Sequence, residues 1–235
     1  MHVVDSGGTG APLVLLPGTW CDDEDWDGVR KHLPPGVRTI SAEFRCHGAS
    51  DAPPGAFSLA DLAEDILALI EHLSLERAVV AGHSLGGIVG IEMAGRSDRV
   101  AGLVLLEGWT NSRAGAAFRE PRMYGSLDTA AVARIEDKIS RGKARVEAAD
   151  FDELRKSVVR FDGSAILRDA TIPIIEVYGS MGRHAGTDAG LAVPSNPRIE
   201  WVWIEGAGHY LPHERPREVA AACVLGLRRA GYAVG

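Results

Sequence analysis

The sequence predicts an α/β fold, a mainly parallel sheet with helices on both faces, and three observations carry that prediction. Short apolar strands alternate with stretches of helical spacing along most of the chain. A length of 235 residues with an apolar share of 46% suits one domain with a sizeable core. Finally, Gly82-His83-Ser84-Leu85-Gly86 lies where an apolar strand turns into a helix.

Taken in order, Leu13–Leu16 reads as the first strand, Asp25–His32 as a helix, and Val37–Ala42 as a second strand. Leu59–Leu73 follows as a helix. Ala78–Ala81 is a strand of Val and Ala composition, and Ser84–Gly95 carries apolar residues at helical spacing. Strands Val100–Leu106, Ile172–Tyr178 and Ile199–Ile204 and helix Pro216–Ala230 complete the alternation. Right-handed crossovers set such strands side by side, so the loops after their carboxyl ends share one rim.

Between about Asn111 and Arg168 the alternation stops. This stretch holds charged amphipathic pieces, with Thr129–Ile139 and Phe151–Val159 reading as helices. A long connection with helices of its own usually covers a functional site. The expected organisation is a core of residues 1–110 and 169–235, with 111–168 as a small helical cap.

A formal charge of −7 argues against nucleic acid or an anionic membrane surface as partner. No apolar run approaches the length of a membrane span. Met1-His2-Val3-Val4-Asp5 has no signal-peptide pattern. Cys21, Cys46 and Cys223 are too few and too scattered for a disulfide framework. Together these predict free thiols, a cytoplasmic location and a small-molecule substrate.

The chemistry starts at Ser84. A serine held at so tight a strand-to-helix turn presents its hydroxyl above the sheet, and glycines two residues to either side avoid collisions with neighbouring backbone. The Leu85 N–H then lies at a helix N-terminus, where developing negative charge is favoured. A serine hydroxyl needs a base, and the base needs an acid to hold its tautomer. His209, in Gly206-Ala207-Gly208-His209-Tyr210, follows the last strand and opens onto the same rim. His83 is expected to face away from the rim, and His2, His32 and His72 lie in elements away from it. His213 reads as a surface residue, because Pro212 and the lack of an HExxH pattern argue against a metal pair.

These residues resemble the α/β-hydrolase superfamily over nearly the whole chain. The matching stretches are Leu15-Leu16-Pro17-Gly18-Thr19-Trp20-Cys21-Asp22 with Trp26, Phe44-Arg45-Cys46-His47-Gly48-Ala49-Ser50-Asp51, the turn at Ser84, and Gly206–Pro216. The resemblance implies Thr19 as the second oxyanion donor beside Leu85. Pro17 stands where a histidine is common, and Glu43 where an aspartate is usual; neither change removes a backbone donor.

The acid departs further. The family usually carries an aspartate after the next-to-last strand, in a pattern like G-x-x-D, where this chain has Gly179-Ser180-Met181-Gly182. Glu107, ending the strand beside the nucleophile strand, occupies a geometrically equivalent place. A branch with some haloalkane dehalogenases and lactone hydrolases looks like this, the acid displaced to the strand following the nucleophile helix. Asp188 is the alternative acid. Glu176 interrupts an apolar strand, and a sheet edge or a basic partner is expected for it.

Trp26, Trp201 and Trp203 read as packing residues. Trp20 and Trp109 are candidates to line an apolar pocket, with Met123 and Tyr124 of the cap. Cys21 reads as a small packing residue. The resemblance implies a serine hydrolase of esters or lactones that needs no cofactor or metal. A serine at position 84 counts against dehalogenase and epoxide hydrolase chemistry, which need a carboxylate nucleophile. The same fold and triad also serve carbon–carbon bond hydrolases and cofactor-free lyases. A slow-turnover ligand-binding receptor of this fold is the reading from another class.

Overall fold

The computed structural model describes residues 1–115, 123–183 and 188–235. Strands β1 (Val3–Asp5) and β2 (Ala11–Leu16) lead into a 3-10 turn, Asp23–Trp26, and helix α1 (Asp27–Arg30). Then come β3 (Val37–Ala42), α2 (Leu59–His72), β4 (Ala78–His83), α3 (Leu85–Ala94) and β5 (Val100–Leu106). Helices α4 (Ser112–Gly115), α5 (Thr129–Lys143), α6 (Ala148–Arg160) and α7 (Ser164–Asp169) separate β5 from β6 (Ile174–Gly179). A 3-10 turn, Asp188–Leu191, precedes β7 (Ile199–Ile204), α8 (Leu211–Glu214) and α9 (Pro216–Arg229).

The strands form one seven-stranded sheet in the order β1-β3-β2-β4-β5-β6-β7. All neighbours are parallel except β1, which runs antiparallel to β3 with Val3 opposite Ala42 and Asp5 opposite Ile40. Every predicted strand is present. Strand β1 was not foreseen: three residues, two of them exposed, carry neither alternation nor a buried run. The expected helix Asp25–His32 is instead a 3-10 turn running into the single turn α1.

Alternate side chains on each strand enter opposite layers. Val14, Leu16, Val80, Leu103 and Leu105 pack with Leu62, Ile66 and Ile70 of α2 and Ile88 and Val89 of α3. Leu13, Leu15, Val79, Ala81, Val104 and Leu106 pack with Trp26, Val29 and Val219, Cys223 and Leu227 of α9. A sheet buried on both faces explains the near-continuous apolar strands. Ser58 caps α2 in a reciprocal box with Asp61, satisfying orphan N–H groups at its first turn.

The helices between β5 and β6 pack in two ways. Leu154 of α6 and Leu167 of α7 join the first core layer. Ile135 and Ile139 of α5 instead cluster with Met123, Tyr124, Leu127, Cys21 and Tyr210. All three cysteines are buried free thiols. No described helix is long and apolar enough to cross a membrane.

Candidate active site

The carboxyl ends of β4, β5 and β6 are tied in register by the ladder itself. The Ser84 N–H donates to the Leu106 carbonyl at 2.9 Å, and the Glu107 N–H donates to the Val177 carbonyl at 2.9 Å. Ser84 and Glu107 therefore stand at adjacent strand ends. Each leaves its strand with positive φ, 51° at Ser84 and 52° at Glu107, which is uncommon for a side chain with a Cβ. Gly82 and Gly86 make the first turn possible. A Cβ on Gly82 would collide with the Gly86 carbonyl, and one on Gly86 with the Leu16 carbonyl of β2.

Helix α3 starts at Leu85, directly after Ser84. The Gly87 N–H donates to the Ser84 carbonyl at 3.0 Å, while the Leu85 and Gly86 N–H groups, at the very start of the helix, have no partner within it. Thr19 follows Gly18 in the loop after β2, and both Thr19 and Ser84 line one cavity.

His209 sits in the loop after β7, and its Nδ1 lies 3.5 Å from Glu107 Oε2. The other carboxylate oxygen, Oε1, accepts the Gly179 N–H at 2.7 Å and the Arg183 guanidinium at 2.7 Å. Glu107 is 2% and Arg183 8% exposed at the side chain, so this ion pair is shielded from water. The Arg183 guanidinium also lies 5.3 Å from the centre of the Tyr178 ring. The end of β6 and the loop after it, where the family's usual acid would sit, thus contribute a backbone donor and a cation that hold the Glu107 carboxylate just beyond β5.

Two further contacts hold the histidine loop. His83 Nε2 donates to the His209 carbonyl at 2.9 Å. The ring is fully enclosed, and burial, with His209 close by, lowers its pKa to about 3, so it stays neutral. His83 was expected to face away from the rim; instead it lines the cavity that holds Ser84 and supports the loop that carries His209. Glu214, in α8, accepts the Gly208 N–H at 2.9 Å and the Ser126 N–H at 2.8 Å. One carboxylate thereby joins the histidine loop to the segment before α5.

The cavity holds about 290 Å³ and is lined by Thr19, Trp20, Ser84, Trp109, Met123 and His209, among others. Of the pocket residues expected from the sequence, Trp20, Trp109 and Met123 line it. Tyr124 does so only indirectly, stacking at 5.6 Å on the lining residue Tyr210. Asp188 opens the 3-10 turn after β6, and its side chain lies outside the described residues.

Other expectations need correction. His213 is no bare surface residue: its Nε2 lies 3.0 Å from Asp25, which also receives Lys138 Nζ at 2.6 Å. Burial alone would raise the Asp25 carboxyl, but the hydrogen bond from His213 and the Lys138 charge outweigh it and hold it well below the usual range. Glu176 lies on β6, one strand in from the edge, buried beside Tyr178 and without a basic partner among the described residues. Burial pushes its carboxyl up to about 8, opposed in part by a hydrogen bond with Tyr178. Sequence reasoning missed Arg183 and Glu214. Arg183 left one signal, a cation directly after Gly182, where an acid was expected; Glu214 left none.

The profile of the Alpha/beta hydrolase family matches residues 13–222, which spans every strand but β1. The chain belongs to the alpha/beta hydrolase family. Among curated relatives, a dihydrolipoyllysine-residue acetyltransferase component of the acetoin cleaving system from Pseudomonas putida is 28% identical over 95% of the chain. The chain spans 65% of that relative's length. A thermophilic esterase from Thermogutta terrifontis superposes with a TM-score of 0.74 at 24% identity, covering 97% of this chain and 93% of the esterase. The enol-lactonase from Burkholderia xenovorans superposes with a TM-score of 0.73 at 20% identity, covering 97% and 96%. At these identities the structural likeness is one of fold.

Proposed function

We propose that this hydrolase cleaves a carboxylic ester or lactone through an acyl-enzyme on Ser84. The observation that carries the reading is a strained serine turn and a histidine that line one cavity, with a buried carboxylate on the far side of that histidine. Ser84 Oγ attacks the substrate carbonyl while His209 takes its proton. Glu107 holds the imidazole through Nδ1 and stabilises its charged form. The N–H groups of Thr19 and Leu85 receive the oxyanion, each donor of this kind contributing on the order of 3 kcal/mol to lowering the barrier. His209 then protonates the leaving alkoxide. Finally it draws a proton from water, whose oxygen attacks the acyl carbonyl and releases the acid and free Ser84.

In this reading residues 111–168 act as a cap, with α5 and the segment around Met123 forming the part over the pocket. The cavity's aromatic and aliphatic walls favour a small acyl group.

A fluorophosphonate probe tests the nucleophile. The protein should be labelled at Ser84 and should hydrolyse short aryl esters, and Ser84→Ala should lose both while keeping its melting temperature. A protein that neither takes the probe nor turns over any short ester or lactone would overturn the reading.

A further inference from the structure

The cavity at Ser84 is apolar around most of its wall, and the lysine among its described lining residues points to the substrate. Helix α5 presents Ile139 and Lys143 to it, four residues apart and therefore on the same helix face. The other lining groups are aromatic, aliphatic, hydroxyl or thiol side chains, glycine, and the histidines His83 and His209. No carboxylate lines the cavity among the described residues.

The neighbouring cations are engaged elsewhere. Lys138 bridges Asp22 and Asp25, each at 2.6 Å, and Arg141 pairs with Asp137 at 3.0 Å. Arg145 donates to the Gly48 and Ser50 carbonyls. Lys143 is left with no carboxylate partner among the described residues and with its chain on the cavity that holds Ser84.

We infer that the substrate is an ester or lactone carrying a second, anionic group, a carboxylate on the acyl portion, which Lys143 receives while the carbonyl lies at Ser84. This rests on the ester or lactone reading and narrows its substrate class. A cavity of about 290 Å³ is at the small end of ligand pockets, which suits a short chain with a charge at its far end. A cation at the rim of an apolar site discriminates between otherwise equal chains, since a carboxylate gains a charge-assisted hydrogen bond that a methyl group cannot make.

Methyl pentanoate and monomethyl glutarate share a five-carbon acyl chain and differ in one end, methyl against carboxylate. Hydrolysis of both is followed by pH-stat for the wild type, Lys143→Gln and Lys143→Arg. The wild type should prefer monomethyl glutarate by about tenfold in kcat/KM, the scale of one charge-assisted bond. Lys143→Gln should abolish that preference by raising KM for monomethyl glutarate far more than for methyl pentanoate, and Lys143→Arg should retain it. The preference should also shrink at high salt, because the lysine is exposed. Preference for methyl pentanoate, or an equal loss on both esters in Lys143→Gln, overturns the inference and leaves the hydrolase reading standing. Absence of turnover on both esters, together with absence of fluorophosphonate labelling, overturns both.

Discussion

Glu107 divides its two oxygens between two tasks. Oε2 faces His209 Nδ1, and Oε1 is held by the Gly179 N–H and the Arg183 guanidinium. Glutamine in its place could keep an amide oxygen towards Gly179 and Arg183, but its NH2 would then face Nδ1 and favour the wrong imidazole tautomer. Glu107→Gln should therefore fold normally and lose kcat by on the order of a thousandfold, whereas Asp188→Asn, measured beside it, should lose little. Equal losses in the two variants would move the acid. Arg183 acts through Glu107 and is a positioning residue. Arg183→Met removes one of two donors that fix the carboxylate, so kcat should fall about tenfold with KM unchanged. Arg183→Lys should restore part of the loss, since an ammonium can still reach Oε1. A fall in KM-dependent binding without a change in kcat would assign Arg183 to the pocket instead.

At the scale of elements, the Glu214 carboxylate ties the histidine loop to the segment before α5. Glu214 receives N–H groups from Gly208 and Ser126, and Gly125, with φ of 50°, packs so closely on its carboxylate that a Cβ there would collide. Removing the carboxylate leaves buried donors unsatisfied, at about 1–3 kcal/mol each. Glu214→Ala should lower the melting temperature by several degrees and kcat/KM on any turned-over ester. Glu214→Gln, whose oxygen still accepts, should recover much of the stability; a Glu214→Ala protein with unchanged melting temperature and turnover would show the bridge to be idle. Such links also mark what the sequence could display. The strands and long helices were legible because buried faces impose runs and periodicity on neighbouring residues. Glu107 was legible because a carboxylate closing an apolar strand is locally anomalous. Arg183 and Glu214 were not, since their partners lie 76 and 88 positions away and no local pattern records such a pairing. Strand β1 escaped for the opposite reason: its three residues are held by pairing with β3, and their own composition says little.

For the molecule as a whole, the two-layered core contains buried titratable groups that set opposite pH windows. His47 and His83 are enclosed, and burial lowers them to about 4 and about 3. The unfolded chain binds protons to these rings near pH 6.5, before the folded one does, so their contribution is lost as pH falls below that value. Glu176 behaves in the reverse sense. Its folded carboxyl titrates near 8 against an ordinary value near 4.5, so between those values the folded state holds a proton that the unfolded chain has released. The contribution of Glu176 to stability should consequently decline as pH rises from about 4.5 to about 8, and level off above that range. Glu176→Gln keeps the shape of the protonated acid and removes its titration. Its melting temperature should lie close to the wild type's at pH 5 and increasingly above it towards pH 8. A difference between the two proteins that stays constant from pH 5 to pH 9 would mean that Glu176 is solvated in the folded state. A gain that grows up to about pH 8 would show that this sheet carries a neutral acid in its core, held there by burial beside Tyr178 and at a stability cost that mounts until that acid ionises.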